Sequence, residues 1–301
     1  MNSFEFGESS MEGKKKIYKA KIDAVFKMLF GDPKNKVILS DFLQAILGLS
    51  NDDVSEIDIL NPFLRLEDVN GKLGILDVNL TTKSGKIIDI EMQVRKVASM
   101  RQRMLYYVSK LFSGQLGNSN PYGNLKKTIG ILICTDHILI DENDKYKNKF
   151  LMRSEDSVVF TDVMEINTLE LKKVPGVDDS KLAHWLRFLD MNDEEELDKM
   201  QIHGNVFKLA ADELKRLSAD KQTRIIIEAR EKALKDEATL ISEAEENGMK
   251  RGLEQGLEQG EEKGRNEREI EIAKSLLSSG MDIDFVSKHT GLTEDEIQNL
   301  R

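Results

Sequence analysis

The sequence predicts an α/β chain: a mixed sheet flanked by helices and followed by an all-helical tail. Three observations predict it. Residues 73–93 alternate apolar and polar in two runs separated by a turn, as a hairpin with one buried face does. Residues 128–135 are apolar at nearly every position, which suits a central strand covered on both faces. Between these segments residues 99–116 are amphipathic at helical spacing, and from residue 205 onward the chain is dense in Glu, Lys and Arg with a helical pattern.

In chain order, residues 20–30 give a helix with Ile22, Val25, Phe26 and Leu29 on one face; Asp23 near its start suits a cap or first-turn acid better than a metal ligand. A second helix, residues 35–47, stops at Gly48, as helix ends often do at glycine. A strand is expected at residues 56–60, then the hairpin, then the helix 99–116 with Met104, Leu105, Val108, Leu111 and Phe112 inward. Strands follow at residues 128–135 and around 158–160, and residues 182–189, with Trp185, form a short helix closing the core.

The hairpin carries the candidate chemistry. Ile88, Ile90, Met92 and Val94 face one way; Asp89, Glu91 and Gln93 face the other. A two-residue turn would set Asp77 against the apolar Met92. A three-residue loop, Lys83-Ser84-Gly85 with glycine at the left-handed position, instead pairs Thr82 with Lys86 and Asp77 with Glu91. Directly opposed residues have Cβ atoms about 4.5–5.5 Å apart. Two carboxylates that close repel unless a cation lies between them, and Mg²⁺ takes one or two carboxylates while keeping waters for chemistry. The alternative is an ordinary solvated polar face of a half-buried hairpin.

Residues 73–93, with Asp77 followed fourteen residues later by Glu91-x-Gln93, resemble the D…(D/E)xK core of the PD-(D/E)XK nucleases, and more closely the Rpn family of recombination-promoting nucleases and transposases. Residues 22–31 are similar to that family's opening helix; Arg101, Tyr106-Tyr107 and the run to Gln115-Leu116 are similar to the helix after its active-site strands. The resemblance spans roughly residues 17–190. It implies a restriction-endonuclease-like sheet, Mg²⁺ (or Mn²⁺) held by Asp77 and Glu91, catalysis by Asp77, Glu91 and Gln93, and accessory places for Asp23, Arg101 and Tyr107. It also implies a DNA endonuclease acting on double-stranded DNA with little sequence preference, in recombination or mobile-element biology. Two positions depart from the superfamily pattern: Leu76 rather than Pro precedes Asp77, and Gln93, which has no positive charge, stands where Lys is usual.

Composition narrows the class. The formal net charge of the 301 residues is −10. Residues 1–140 hold 19 Lys/Arg against 16 Asp/Glu, or +3; residues 141–301 hold 25 against 38, or −13. The acidity belongs to the tail half. Lys14, Lys15, Lys16, Lys19, Lys21, Arg95, Lys96, Arg101 and Arg103 form a modest basic set able to neutralise phosphates, or are solvated surface charge. The single cysteine, Cys134, reads as a buried strand residue and excludes an internal disulfide. His137, His184, His203 and His289 show no ligand spacing, which argues against zinc. No apolar run is long enough to span a bilayer and residues 1–11 lack a signal peptide's apolar region, so a cytoplasmic protein with no membrane partner is expected.

Five segments are expected: a flexible N-terminus, 1–16; the nuclease-like domain, 17–190; a charged helical region, 191–247; a Gly-x-x-x repeat, 248–268; and a small helical module, 269–301. Gly248, Gly252, Gly256, Gly260 and Gly264 make one stripe if helical, at a cost of about 4–5 kcal/mol relative to alanine. Either the segment is a loose linker, or the stripe lets two helices approach, which would make the chain a homo-oligomer through its C-terminal helices. In the last segment a helix over 270–277, Gly280, a second over 283–289, Gly291 and a Thr293-x-x-Glu296 capping box give a helix-turn-helix layout. Asp282, Asp284, Glu294, Asp295 and Glu296 would oppose phosphates there, which favours an interaction or lid module over DNA reading.

Overall fold

The computed structural model describes residues 17–60, 78–94, 96–117 and 121–300. Asp77, Lys14, Lys15, Lys16, Arg95 and the N-terminal segment 1–16 lie outside the described residues.

The chain opens with α1 (Asp23–Phe30), a 3₁₀ turn and α2 (Lys36–Leu47), which ends at Gly48 in the left-handed conformation. A short α3 (Asn51–Ser55) precedes β1 (Asp58–Ile59). The hairpin is β2 (Val78–Thr81) and β3 (Ile87–Gln93), followed by α4 (Met100–Ser113) and β4 (Thr128–Cys134). Then come β5 (Lys147–Arg153) and β6 (Val159–Glu170). The strand expected around 158–160 is the start of the longer β6, and β5 was not expected: KNKFLMR offers no alternation, and pairing with β6 supplies its reason to extend.

The six strands form one sheet in the order β1-β2-β3-β4-β6-β5. β1, β2 and β3 pair antiparallel, β3-β4 and β4-β6 parallel, and β5-β6 antiparallel. A parallel β3-β4 pair needs a crossover, and α4 is that crossover. β4 is interior to the sheet and buried along its whole length, as its two-sided apolar sequence requires.

One face of the sheet carries the larger core. Ile88, Ile90, Ile129, Ile131 and Ile133 pack there with Phe26, Phe30, Phe42, Trp185, Phe188 and Phe207. Trp185, on α5 (Lys181–Asp190), donates its indole N–H to Asp41 at 2.8 Å and meets Phe42 edge-on at 5.6 Å. Such aromatic pairs add about 0.5–1.5 kcal/mol beyond the area they bury. α6 (Glu194–Met200), α7 (Asn205–Ala219) and the start of α8 (Lys221–Ser278) add Leu197, Phe207, Leu214 and Ile227 to the same core, past residue 190.

The other face is covered by α4 through Met100, Met104 and Val108, against Leu132 and Cys134. Leu105, expected inward, is 53% exposed, because the contact stripe runs 100/104/108 and residue 105 lies a further 100° around the helix.

Residues up to Glu231 form one compact unit and residues from Lys232 a second. In the second, α8 carries the glycine repeat in helical conformation, and beyond the helix's own adjacent backbone no atom of the described residues lies within 4 Å of a Cβ added at any of its five glycines. α9 (Ile283–Thr290) and α10 (Glu294–Gln298) close a small core of Ala273, Val286, Leu292 and Ile297; the capping box at Thr293 and Glu296 is formed, with Gly291 as the left-handed stop.

Candidate active site

β2 and β3 pair in the register Val78↔Ile90, Asn79↔Asp89, Leu80↔Ile88, Thr81↔Ile87. The connection is the three-residue loop: Thr82 N–H donates to Lys86 C=O at 3.0 Å, Gly85 N–H donates to Thr82 C=O, and Gly85 has φ +82°, which an L side chain adopts only with strain. This is the register from which the pairing of Asp77 with Glu91 was derived; Asp77 itself lies outside the described residues.

Alternation along β3 sends Asp89 and Glu91 toward α4. Each is 2% exposed, so the solvated polar face is not what this hairpin presents. Gly130 makes that burial possible. It pairs with Asp89 across the parallel ladder, and a Cβ there would lie 2.2 Å from Met104 Cε and 2.6 Å from Val108 Cγ2. Only a residue without a side chain lets α4 lie so close over the carboxylates.

Arg103 of α4 donates from Nη2 to Glu91 Oε2 at 3.1 Å, and its guanidinium carbon lies 5.6 Å from the Tyr107 ring centre. Burial, and then the negative charge of Glu91, push the Asp89 carboxyl up to about 7. Asp89 Oδ1 and Glu91 Oε1 are buried and accept no hydrogen bond among the described residues. Unbonded buried carboxylate oxygens are costly unless something positive meets them. Carboxylate oxygens are hard donors, whose chemistry suits Mg²⁺ or Mn²⁺ far better than a soft metal.

The remaining expected residues divide. Gln93 closes β3 on the carboxylate face and is half-buried, its backbone C=O accepting from Thr135 N–H at 3.1 Å. Tyr107 stands beside Arg103. Arg101 turns elsewhere, donating to Leu139 C=O and lying 3.5 Å from Glu142. Asp23 is the first residue of α1, accepting from Ala24 N–H at 2.7 Å and paired with Arg230 at 2.7 Å. Of the basic set, Lys19 pairs with Asp190, and Lys21 with Asp136 and Asp190. Burial, with the charge of Glu170 adding to it, pushes the Cys134 thiol up to about 12, a buried strand residue rather than a nucleophile.

Two further members of the site are Asp89 and Arg103. Asp89 was readable, since it sits two residues before Glu91 on the same strand face. Arg103, one of the basic set, has a sequence spacing to Glu91 that carries no signal, because only the β3–α4 packing brings them together.

A family model described as PD-(D/E)XK nuclease family transposase matches residues 20–244, and one described as the Rpn/YhgA-like nuclease family C-terminal helix-turn-helix domain matches residues 266–301. Comparison with curated proteins and with solved structures gives no match. Nucleases of the matched kind generally use divalent metal ions. No helix among the described residues is long and apolar enough to cross a membrane.

Proposed function

Because the chain belongs to the PD-(D/E)XK nuclease family of transposases, we propose that it is a Mg²⁺- or Mn²⁺-dependent DNA endonuclease of low sequence specificity, acting in recombination or on mobile elements. One observation carries the reading: Glu91 is buried beside Asp89, held through one carboxylate oxygen by Arg103 and with the other meeting no hydrogen-bond donor among the described residues.

Asp77 and Glu91 would hold the ion, with Asp89 two residues before Glu91 on the same strand face. Bound there, such an ion would lower the pKa of a water and stabilise charge building on the scissile phosphate. Arg103 fixes the rotamer of Glu91, and Tyr107 supports the guanidinium. The Gln93 amide orients the attacking water by hydrogen bonding, without the electrostatic help a lysine would add. Arg101, engaged with Leu139 and Glu142, and Asp23, paired with Arg230, take no part in holding the ion. Double-stranded DNA is the substrate in the cytoplasm, and the helix-turn-helix family match over residues 266–301 supports a second contact with it there, in place of the lid or interaction module that the acidic residues of that segment favoured. Leu253 and Leu257, exposed on α8 near the clear glycine stripe, support self-association through the C-terminal helices.

A second reading has its own support: Arg103 already neutralises Glu91 and Gln93 carries no charge, as in a catalytically degenerate nuclease fold that serves as an interaction protein, its helical tail driving oligomerisation. Nicking of supercoiled plasmid by the full chain in Mg²⁺, with Glu91→Gln and Asp77→Ala as controls, separates the two. Cleavage lost in both folded variants supports the endonuclease. No Mg²⁺-dependent nicking by the folded parent supports the second reading, and undiminished cleavage by Asp77→Ala removes the metal pair.

A further inference from the structure

A second cluster of metal-binding side chains lies on the helical side of the first unit. His184, in the first turns of α5, is 7% exposed. Its Nε2 lies 2.9 Å from Oδ1 of Asp179, the residue before the α5 N-cap Ser180. His203 ends the 3₁₀ turn Gln201–His203 after α6, and its ring lies against that of His184 with centroids 3.6 Å apart. One ligand atom from each of Asp179, His184 and His203 falls within 4.8 Å of the others. The histidines lie nineteen positions apart in sequence, a separation that carries no ligand signal; the fold of α6 back along α5 makes the site.

We propose that Asp179, His184 and His203 bind one divalent transition metal ion of the zinc class. Two imidazoles and one carboxylate are a borderline-soft N/O set, preferred by zinc and its neighbours over Mg²⁺. Ligand atoms about 2.0–2.2 Å from an ion are at most about 4.4 Å apart. Closing a 4.8 Å spread takes a small rotation, and Asp179 and His203 are both exposed. A histidine already fixed by burial against Phe207 pre-organises one ligand. The ion ties the start of α5 to the turn that leads into α7. The site is independent of the carboxylate centre and of the nuclease reading.

The test is equilibrium dialysis of the chelator-stripped full chain against Zn²⁺ in excess Mg²⁺, which occupies the all-oxygen site. One tight equivalent is expected, undiminished in Glu91→Gln. It should weaken more than about tenfold in His203→Ala and in Asp179→Ala, since even partners outside the ligand shell are worth 10–100-fold. Both residues are exposed, so folding should survive, as circular dichroism checks; Zn²⁺ should raise the Tm of the parent but of neither variant. Absence of a tight equivalent, or unchanged binding in folded His203→Ala and Asp179→Ala, overturns the proposal and marks the zinc as adventitious.

Discussion

Arg103 reaches across from α4 to Glu91 on β3, Nη2 to Oε2 at 3.1 Å, and it is the guanidinium paired with that buried carboxylate. Removing one partner of a buried pair costs about 3–5 kcal/mol because the other charge is stranded. The Arg103 side chain is 36% exposed, so solvent screening reduces this to roughly 1–3 kcal/mol. Arg103→Met should therefore lower the urea midpoint in chelator, whereas Glu91→Gln should cost less. If the two variants are equally stable to parent, the pair contributes nothing to the fold.

Gly130→Ala tests whether close approach of α4 builds the site. The new methyl collides with Met104 Cε, which can swing, and with Val108 Cγ2, which cannot. Overpacking of this kind costs about 1–3 kcal/mol, and displacing α4 should carry Arg103 away from Glu91 and reduce cleavage. The double variant Gly130→Ala/Val108→Ala should recover part of the cleavage, since the two sites touch and are not additive. Unchanged stability and activity in Gly130→Ala would show that the helix has room to spare.

Asp89 predicts a pH dependence in the metal-free protein. Its folded value of about 7 lies above the ordinary 3.8, so between those values the folded state binds more protons than the unfolded one. Stability should fall as pH rises through that window, by at most about 4 kcal/mol. With chelator present, Asp89→Asn should flatten the profile and raise the Tm at pH 8 while matching the parent near pH 4. An identical decline in both proteins would place the titration elsewhere.

Gln93 at the end of β3 separates positioning from charge. Gln93→Lys should retain or increase the nicking rate, and Gln93→Leu should reduce it by roughly 10²-fold, the scale for one lost hydrogen-bond donor. Equal rates in the two variants would remove the side chain from the reaction.

The sequence by itself determined what depends on neighbours along the chain. The alternation of β3, the three-residue loop with Gly85, the stop of α2 at Gly48 and the Thr293–Glu296 capping box are set by dihedral preference and local hydrogen bonds, and each stands where pattern placed it. The register of the hairpin was legible for the same reason: a one-residue slip would bury the wrong face. Only the tertiary structure decided what covers that polar face. Its burial depends on the β3–α4–β4 crossover, on a glycine at position 130 facing Asp89, and on a helix rotation that sends Arg103 to Glu91 and Arg101 to Glu142. Likewise β5 extends because β6 pairs with it, and His184 meets His203 because α6 folds back, contacts between residues whose separation in sequence carries no periodic signal.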